Sequence, residues 1–357
     1  VDRESSSDEL SSFSLDAPTT AANAARVARA LLVKKPILLE GSPGVGKTSL
    51  ICALAKATGK NLTRINLSEQ TDLIDLFGSD APVEGGNVGE FQWRDGPFLK
   101  AMQRGDWVLL DEMNLASQSV LEGLNACLDH RGEVYIPELD RSFVNHPSFR
   151  VFAAQNPQSQ GGGRKGLPKS FVNRFTVVYV DILKKHDLRL IASRLFPSVD
   201  QNIRNKLIEF ISLLEYEVSV RKSWGSSGQP WEFNLRDVLR WLTLMKKTSD
   251  SYQKSAYDFY ELVIRNRFRS EEDRIKCDAL FESSFGPLKV RDPYFDIHPF
   301  YVQTKSCIVK RAQFVQYKQN ANAIGLQCNI KPLESVLYCI EMAYRCLLVG
   351  PSGSGKT

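Results

Sequence analysis

The eight consecutive residues Gly41, Ser42, Pro43, Gly44, Val45, Gly46, Lys47 and Thr48 constrain this chain more than any other feature. They fit G-x-x-x-x-G-K-[ST], with the apolar run PILLE before them and helix-like spacing after them, so the pattern lies between a strand and a helix as its chemistry requires. Glycines let the backbone N–H groups turn inward around a polyphosphate, and the helix start adds its positive dipole end. In that reading Lys47 reaches the β and γ phosphates, Thr48 ligates Mg²⁺, and Ser49 continues the first helical turn. The expected ligands are ATP or ADP with Mg²⁺.

The pattern returns at Gly350, Pro351, Ser352, Gly353, Ser354, Gly355, Lys356 and Thr357. KPILLEGSPGVGKT at residues 35–48 matches YRCLLVGPSGSGKT at residues 344–357, an offset of 309. Solenoid repeats run at about 20–50 residues, so this offset means whole domains in tandem. The sequence opens on Val1 and stops directly after the second loop, so it reads as a piece of a longer chain: one complete module and the opening of the next. The second loop, with no helix after it, is expected to be empty of nucleotide.

At about 150 residues per domain, 357 residues predict two or three packed units. With 43% hydrophobic and 24% charged residues, the chain has enough apolar material for a substantial core. The apolar runs at 108–110 and 346–349 fall far short of the roughly 20 residues of a membrane span. Without a basic-then-apolar leader, and with seven Cys but no CxxC pair, the expectation is an intracellular protein that meets no membrane. The net charge of +5 is unevenly spread: residues 1–183 carry 19 Lys/Arg against 22 Asp/Glu, net −3, which leaves 27 against 19, net +8, for residues 184–357. That basic half suits an acidic partner, a neighbouring domain or nucleic acid, and its scattered charges equally suit a solvated helical surface.

Residues 1–16 are polar and low in complexity, as in a flexible linker. Residues 17–182 alternate helical periods with short apolar runs: a helix at 21–33, strands at 36–40, 62–67, 107–110, 149–154 and 177–180, and a helix at 49–57. Such alternation implies an α/β fold with a parallel sheet covered by helices on both faces. Residues 183–320 read as a mainly α-helical unit, with helices at 186–195, 201–218, 235–246, 255–268 and 271–285 and a connector without period at 286–320. Residues 321–357 begin the next module, with a helix at 332–344 and a strand-like CLLVG.

A phosphate cradle by itself hydrolyses nothing. In WVLLDE four apolar residues precede two acids, which places Asp111 to hold Mg²⁺ through water and Glu112 to orient and deprotonate an attacking water. The run FRVFAAQNP ends in Gln155 and Asn156, and Asn156 is the candidate for positioning that water. Arg164 and Arg174 precede another strand, where an arginine can project toward a neighbouring module's γ-phosphate; a surface ion pair is the plain alternative for Arg174. Arg236 lies on the first turn of a helix, either contacting phosphate or solvated. The four His and seven Cys show no metal-ligand spacing.

Taken together, GSPGVGKT, VLLDEMNLASQSVLEGLNACLDHRGEVYIPEL, AAQNPQSQGGGRKGLPKSFVNRF and FNLRDVLRW resemble an AAA+ module of the dynein-related midasin family, over about residues 17–250. The resemblance implies an AAA+ P-loop NTPase with a helical lid, one of six unequal modules forming a pseudo-hexameric ring in a single chain. It further implies ATP-driven release of assembly factors from pre-60S ribosomal particles in the nucleus, both nucleolus and nucleoplasm, with direct RNA contact left open. Carried over residue by residue, Lys47 and Thr48 are the nucleotide-loop residues, Asp111 and Glu112 the metal and water residues, Asn156 the first sensor, Arg174 the finger and Arg236 the second sensor. Residues 76–99 correspond to the family's insertion in the second helix and residues 132–147 to its hairpin before the first sensor. The family's metal-ion-dependent adhesion domain has no counterpart here, and no D-x-S-x-S occurs. Two other readings stay open at this point: a ring module that holds nucleotide without turnover, and a chelatase-type or dynein-type motor module with another substrate.

Overall fold

The computed structural model describes residues 16–82, 91–129, 131–157, 166–248, 252–287, 294–298, 300–304, 307–310, 327–350 and 352. By their contacts they form two compact units, one running to Pro197 and including Asn234–Arg236, the other comprising Ser198–Phe233 and the residues from Asp237 onward. By contacts the helix Lys185–Leu195 belongs with the first unit. Asp187 of that helix accepts the backbone N–H of Thr19, at the start of the helix Pro18–Leu31, and so anchors it to the first unit.

The strands of the first unit are β1 (Ile37–Glu40), β2 (Leu62–Asn66), β3 (Gly78–Pro82), β4 (Phe91–Asp95), β5 (Trp107–Asp111), β6 (Glu133–Ile136), β7 (Arg141–Val144), β8 (Arg150–Gln155) and β9 (Thr176–Tyr179). Five of them make one parallel sheet in the order β2-β5-β8-β1-β9. Successive side chains of a strand point to opposite faces, and both faces are buried here. Leu38, Val108, Leu110, Val151 and Ala153 pack on one side with Phe98, Leu99 and Leu124. Ile37, Leu39, Leu109, Phe152 and Ala154 pack on the other with Val27, Leu50 and Ile51. With β8 and β9 flanking β1, the loop leaving β1 opens at the carboxyl end of an interior strand, the end of the sheet where ligands of open α/β folds are held.

Two antiparallel hairpins, β3–β4 and β6–β7, stand apart from this sheet. The first lies in the segment 76–99 read as an insertion, whose residues 83–90 fall outside the described residues, and the second in the segment 132–147.

The second unit packs the helices Gln201–Glu215, Leu235–Thr248, Tyr252–Val263 and Glu271–Phe285 around buried aromatics. Tyr260 stacks on Phe281 with centroids 4.1 Å apart, and Phe210 meets Phe281 edge-on at 5.3 Å. The connector without period at 286–320 contains, among its described residues, an antiparallel sheet of β10 (Phe295–Ile297), β11 (Tyr301–Thr304) and β12 (Ile308–Lys310); strands this short show no readable period. The last helix runs Gln327–Glu341, so Pro332 lies inside it rather than at its start. CLLVG is not a strand: Leu347 is 86% and Val349 81% exposed, because among the described residues no strands flank this run as β8 and β9 flank β1.

Candidate functional site

The loop after β1 turns directly into the helix Lys47–Ala57, with Gly46 in the left-handed region at φ +85° as its N-cap. Gly44 has φ +79°, and a Cβ there would lie 2.5 Å from Cγ of Asn234, so both backbone and space demand glycine. Ser42 and Pro43 are half-buried, Val45 packs into the core, and Ser49 is exposed. The tight fold of the loop brings its own carbonyls onto the first helical residue. Lys47, 8% exposed, donates through Nζ to Gly41 O at 2.6 Å, Ser42 O at 3.1 Å and Asn156 Oδ1 at 2.7 Å.

Strand β5 delivers the acids. Asp111 ends it, and its Oδ2 accepts the Thr48 hydroxyl at 2.9 Å and Arg64 Nη2 at 2.7 Å, while its Oδ1 accepts the Glu112 N–H at 3.1 Å. Glu112 is left-handed, φ +56° and ψ +42°, an uncommon state for a residue with a side chain and one that clusters at functional sites. Its carboxylate is met by Asn156 Nδ2, 3.3 Å from Oε1 and 3.4 Å from Oε2. Asn156 follows β8 directly and is 6% exposed.

Lys47, Thr48, Asp111, Glu112 and Asn156 are therefore one hydrogen-bonded constellation. Arg174 and Arg236 are not among its bonds. Arg174 lies on the turn after the short helix Lys169–Val172, half-buried, its Nε buried without a hydrogen-bond partner. Arg236 is exposed, with its backbone N–H on Asn234 Oδ1 at 2.9 Å. Of the second loop, Gly350 and Ser352 are exposed, whereas Pro351, Gly353, Ser354, Gly355, Lys356 and Thr357 lie outside the described residues, as does Arg164.

Three participants escaped the sequence reading in these roles. Arg64 on β2 is ion-paired with Asp111. Asn114, 3% exposed, donates Nδ2 to Asn156 O at 2.9 Å and fixes the backbone at Asn156. Gln155 donates Nε2 to Glu40 Oε2 at 2.9 Å and ties the end of β8 to the end of β1. The one available signal was Arg64 itself, a charge set in the apolar run 62–67.

These residues fit a nucleotide with a divalent cation. The loop is a cradle that a Cβ at Gly44 would obstruct, and its buried ammonium donates to three oxygen acceptors, the kind of atom a phosphate offers. The Thr48 hydroxyl and Asp111 carboxylate are hard oxygen donors of the kind Mg²⁺ takes.

Residues 36–175 match the AAA domain of the dynein-related subfamily, and residues 187–287 match the midasin AAA lid domain. The chain is similar to the Midasin of Dictyostelium discoideum, 47% identical over 97% of this chain, and to the Midasin of Giardia intestinalis, 39% identical over 98%. It spans only 6% and 8% of the length of those two relatives. An uncharacterized protein of Staphylococcus haemolyticus is 31% identical over 50% of this chain and 67% of its own length. With both domains matched in order and the glycine loop built as an AAA domain requires, this chain belongs to the midasin family and carries one of its dynein-related AAA ATPase domains followed by the AAA lid.

Proposed function

We propose that this chain is an ATP-hydrolysing module. The reading is carried by the chain of bonds Lys47–Asn156–Glu112 lying beside the Thr48–Asp111 pair. A triphosphate entering the loop gives Lys47 phosphate oxygens in exchange for Gly41 O and Ser42 O. Asn156 is released from the ammonium and, still bonded to Glu112, orients a water. The Glu112 carboxylate accepts that water's proton as its oxygen attacks the γ-phosphorus and ADP leaves. Mg²⁺, held by Thr48 and Asp111, supplies neutralisation of the developing phosphate charge.

Arg174 acts in trans in this proposal, its Nε buried with no hydrogen-bond partner. Its target is the γ-phosphate of an adjoining module in a pseudo-hexameric ring. Arg236, on the first turn after Asn234, reports on bound nucleotide. In the whole protein the cycle drives release of assembly factors from pre-60S particles in the nucleus; this part of the reading rests on family resemblance.

The test is chromatographic: on a chain extended through the complete next module, because the isolated fragment should be weakly active, ATP is added and the nucleotide recovered with the protein is identified, for the parent and for Glu112→Gln. ADP from the parent and ATP from the variant is the expected result. Unchanged ATP from both means a nucleotide that braces the module without turnover.

A further inference from the structure

We propose that Arg64 sets the Mg²⁺ requirement of the site: its guanidinium occupies the carboxylate oxygen of Asp111 that a divalent cation needs, and the cation must displace it. The inference rests on the nucleotide-binding reading above.

The geometry is specific. Asp111 Oδ2 takes the Thr48 hydroxyl at 2.9 Å and Arg64 Nη2 at 2.7 Å, so the oxygen facing the metal-ligating hydroxyl is the one the guanidinium holds. In the parallel register Arg64 is level with Leu109, two residues short of Asp111. At about 3.3 Å per residue that is a reach of about 7 Å, close to the length of an extended arginine side chain.

Mobility is unequal between the partners. β2 is the edge strand of the sheet, and the Arg64 side chain is 56% exposed against 12% for Asp111. The carboxylate is held by Thr48 and by the Glu112 N–H, while the guanidinium can turn into water. Nor is the pair needed to join the strands, since the ladder runs from Leu62 to Asn66 and continues with Leu67 N–H to Asp111 O at 3.0 Å. With the Lys47 ammonium already in the site, the guanidinium on Asp111 adds a second positive charge that repels an incoming divalent ion. Arg64 therefore acts as a resident counter-ion that gives way when metal and nucleotide arrive together. It is a positioning residue for Asp111, and its signature is a shift in metal dependence rather than in nucleotide affinity.

The experiment follows binding of a fluorescent ADP analogue to the 357-residue chain by anisotropy, titrating free Mg²⁺ and repeating the nucleotide titration in EDTA. Parent, Arg64→Gln, Arg64→Met and Arg64→Lys are compared. Both neutral variants are expected to reach half-maximal Mg²⁺-dependent binding at about three- to fivefold lower free Mg²⁺, the scale of a partly exposed ion pair, with EDTA affinity within about twofold of the parent. Arg64→Lys keeps a cation within reach of the carboxylate and is expected to stay close to the parent. An unchanged or raised Mg²⁺ requirement in the neutral variants overturns the proposal. So does a loss of affinity in EDTA with the Mg²⁺ requirement unmoved, since Arg64 would then be a phosphate ligand. Failure of the parent itself to bind nucleotide overturns the functional reading as well.

Discussion

Lys47 Nζ bonds Asn156 Oδ1 at 2.7 Å across a sequence separation of 109 residues. The same amide group donates to Glu112, so the residue proposed to touch phosphate and the residue proposed to touch water share one intermediary. Asn156→Ala is expected to leave nucleotide affinity within about threefold and to lower turnover about 100-fold, the scale of one lost orienting dipole. Lys47→Ala is expected to abolish tight binding instead. Equilibrium binding and steady-state phosphate release, measured on both variants, separate the two roles.

Glu112 pays for its position with a left-handed backbone. Glu112→Gly removes that strain and is expected to raise stability by roughly 0.5–1 kcal/mol, after allowing for glycine's greater unfolded-state entropy, while turnover disappears. Denaturant unfolding alongside an activity assay checks it; a loss of stability would mean that the Glu112 side chain holds the site together.

Gly44 carries two constraints that can be separated. Gly44→Ala meets both the positive φ and the Asn234 side chain, and is expected to cost at least about tenfold in nucleotide affinity, equivalent to about 1.4 kcal/mol. Adding Asn234→Gly should relieve the clash but not the backbone strain, so the double variant recovers part of the loss. Full additivity in the cycle would show that the two positions do not meet.

Acid sensitivity should centre on Asp187. Burial alone would raise its pKa, but the Thr19 hydroxyl and N–H, the Lys184 N–H and the charge of His186 outweigh it and hold the carboxyl below its ordinary value of 3.8. A carboxyl depressed on folding stabilises fully above its unfolded pKa and loses that contribution as pH falls through its folded one. Asp187→Asn should therefore cost about 1–3 kcal/mol at neutral pH and flatten the decline in stability below about pH 4. Unfolding curves between neutral and strongly acidic pH decide it.

The legible parts of the molecule were the local ones. GSPGVGKT announces a strand, a loop and a helix within one stretch, and four apolar residues before Asp111 announce a buried strand, because each motif contains its own context. Side-chain alternation on β1 and β5 is masked by burial of both faces, so apolar content gave the strands but not their neighbours. Register is what sequence hides. That Arg64 is level with Leu109 and reaches Asp111, or that Asn234 abuts Gly44, depends on pairings between distant segments. The three-residue strands β10 and β12 were too brief for any period to declare itself.

Strand β1 finds both of its partners far downstream: Ile37 pairs with Phe152 on one side and Thr176 on the other. Non-local pairing of this kind forms slowly, and a growing chain lengthens by only about 5–20 residues per second. The glycine loop is thus synthesised well before two of the strands that frame it and is among the last parts of its unit to be assembled. A nascent chain that has not yet released Tyr179 has every residue of GSPGVGKT but no finished frame to stretch it on. Shortening the chain from its C-terminus past β9 should erase the phosphate site without touching one of its residues.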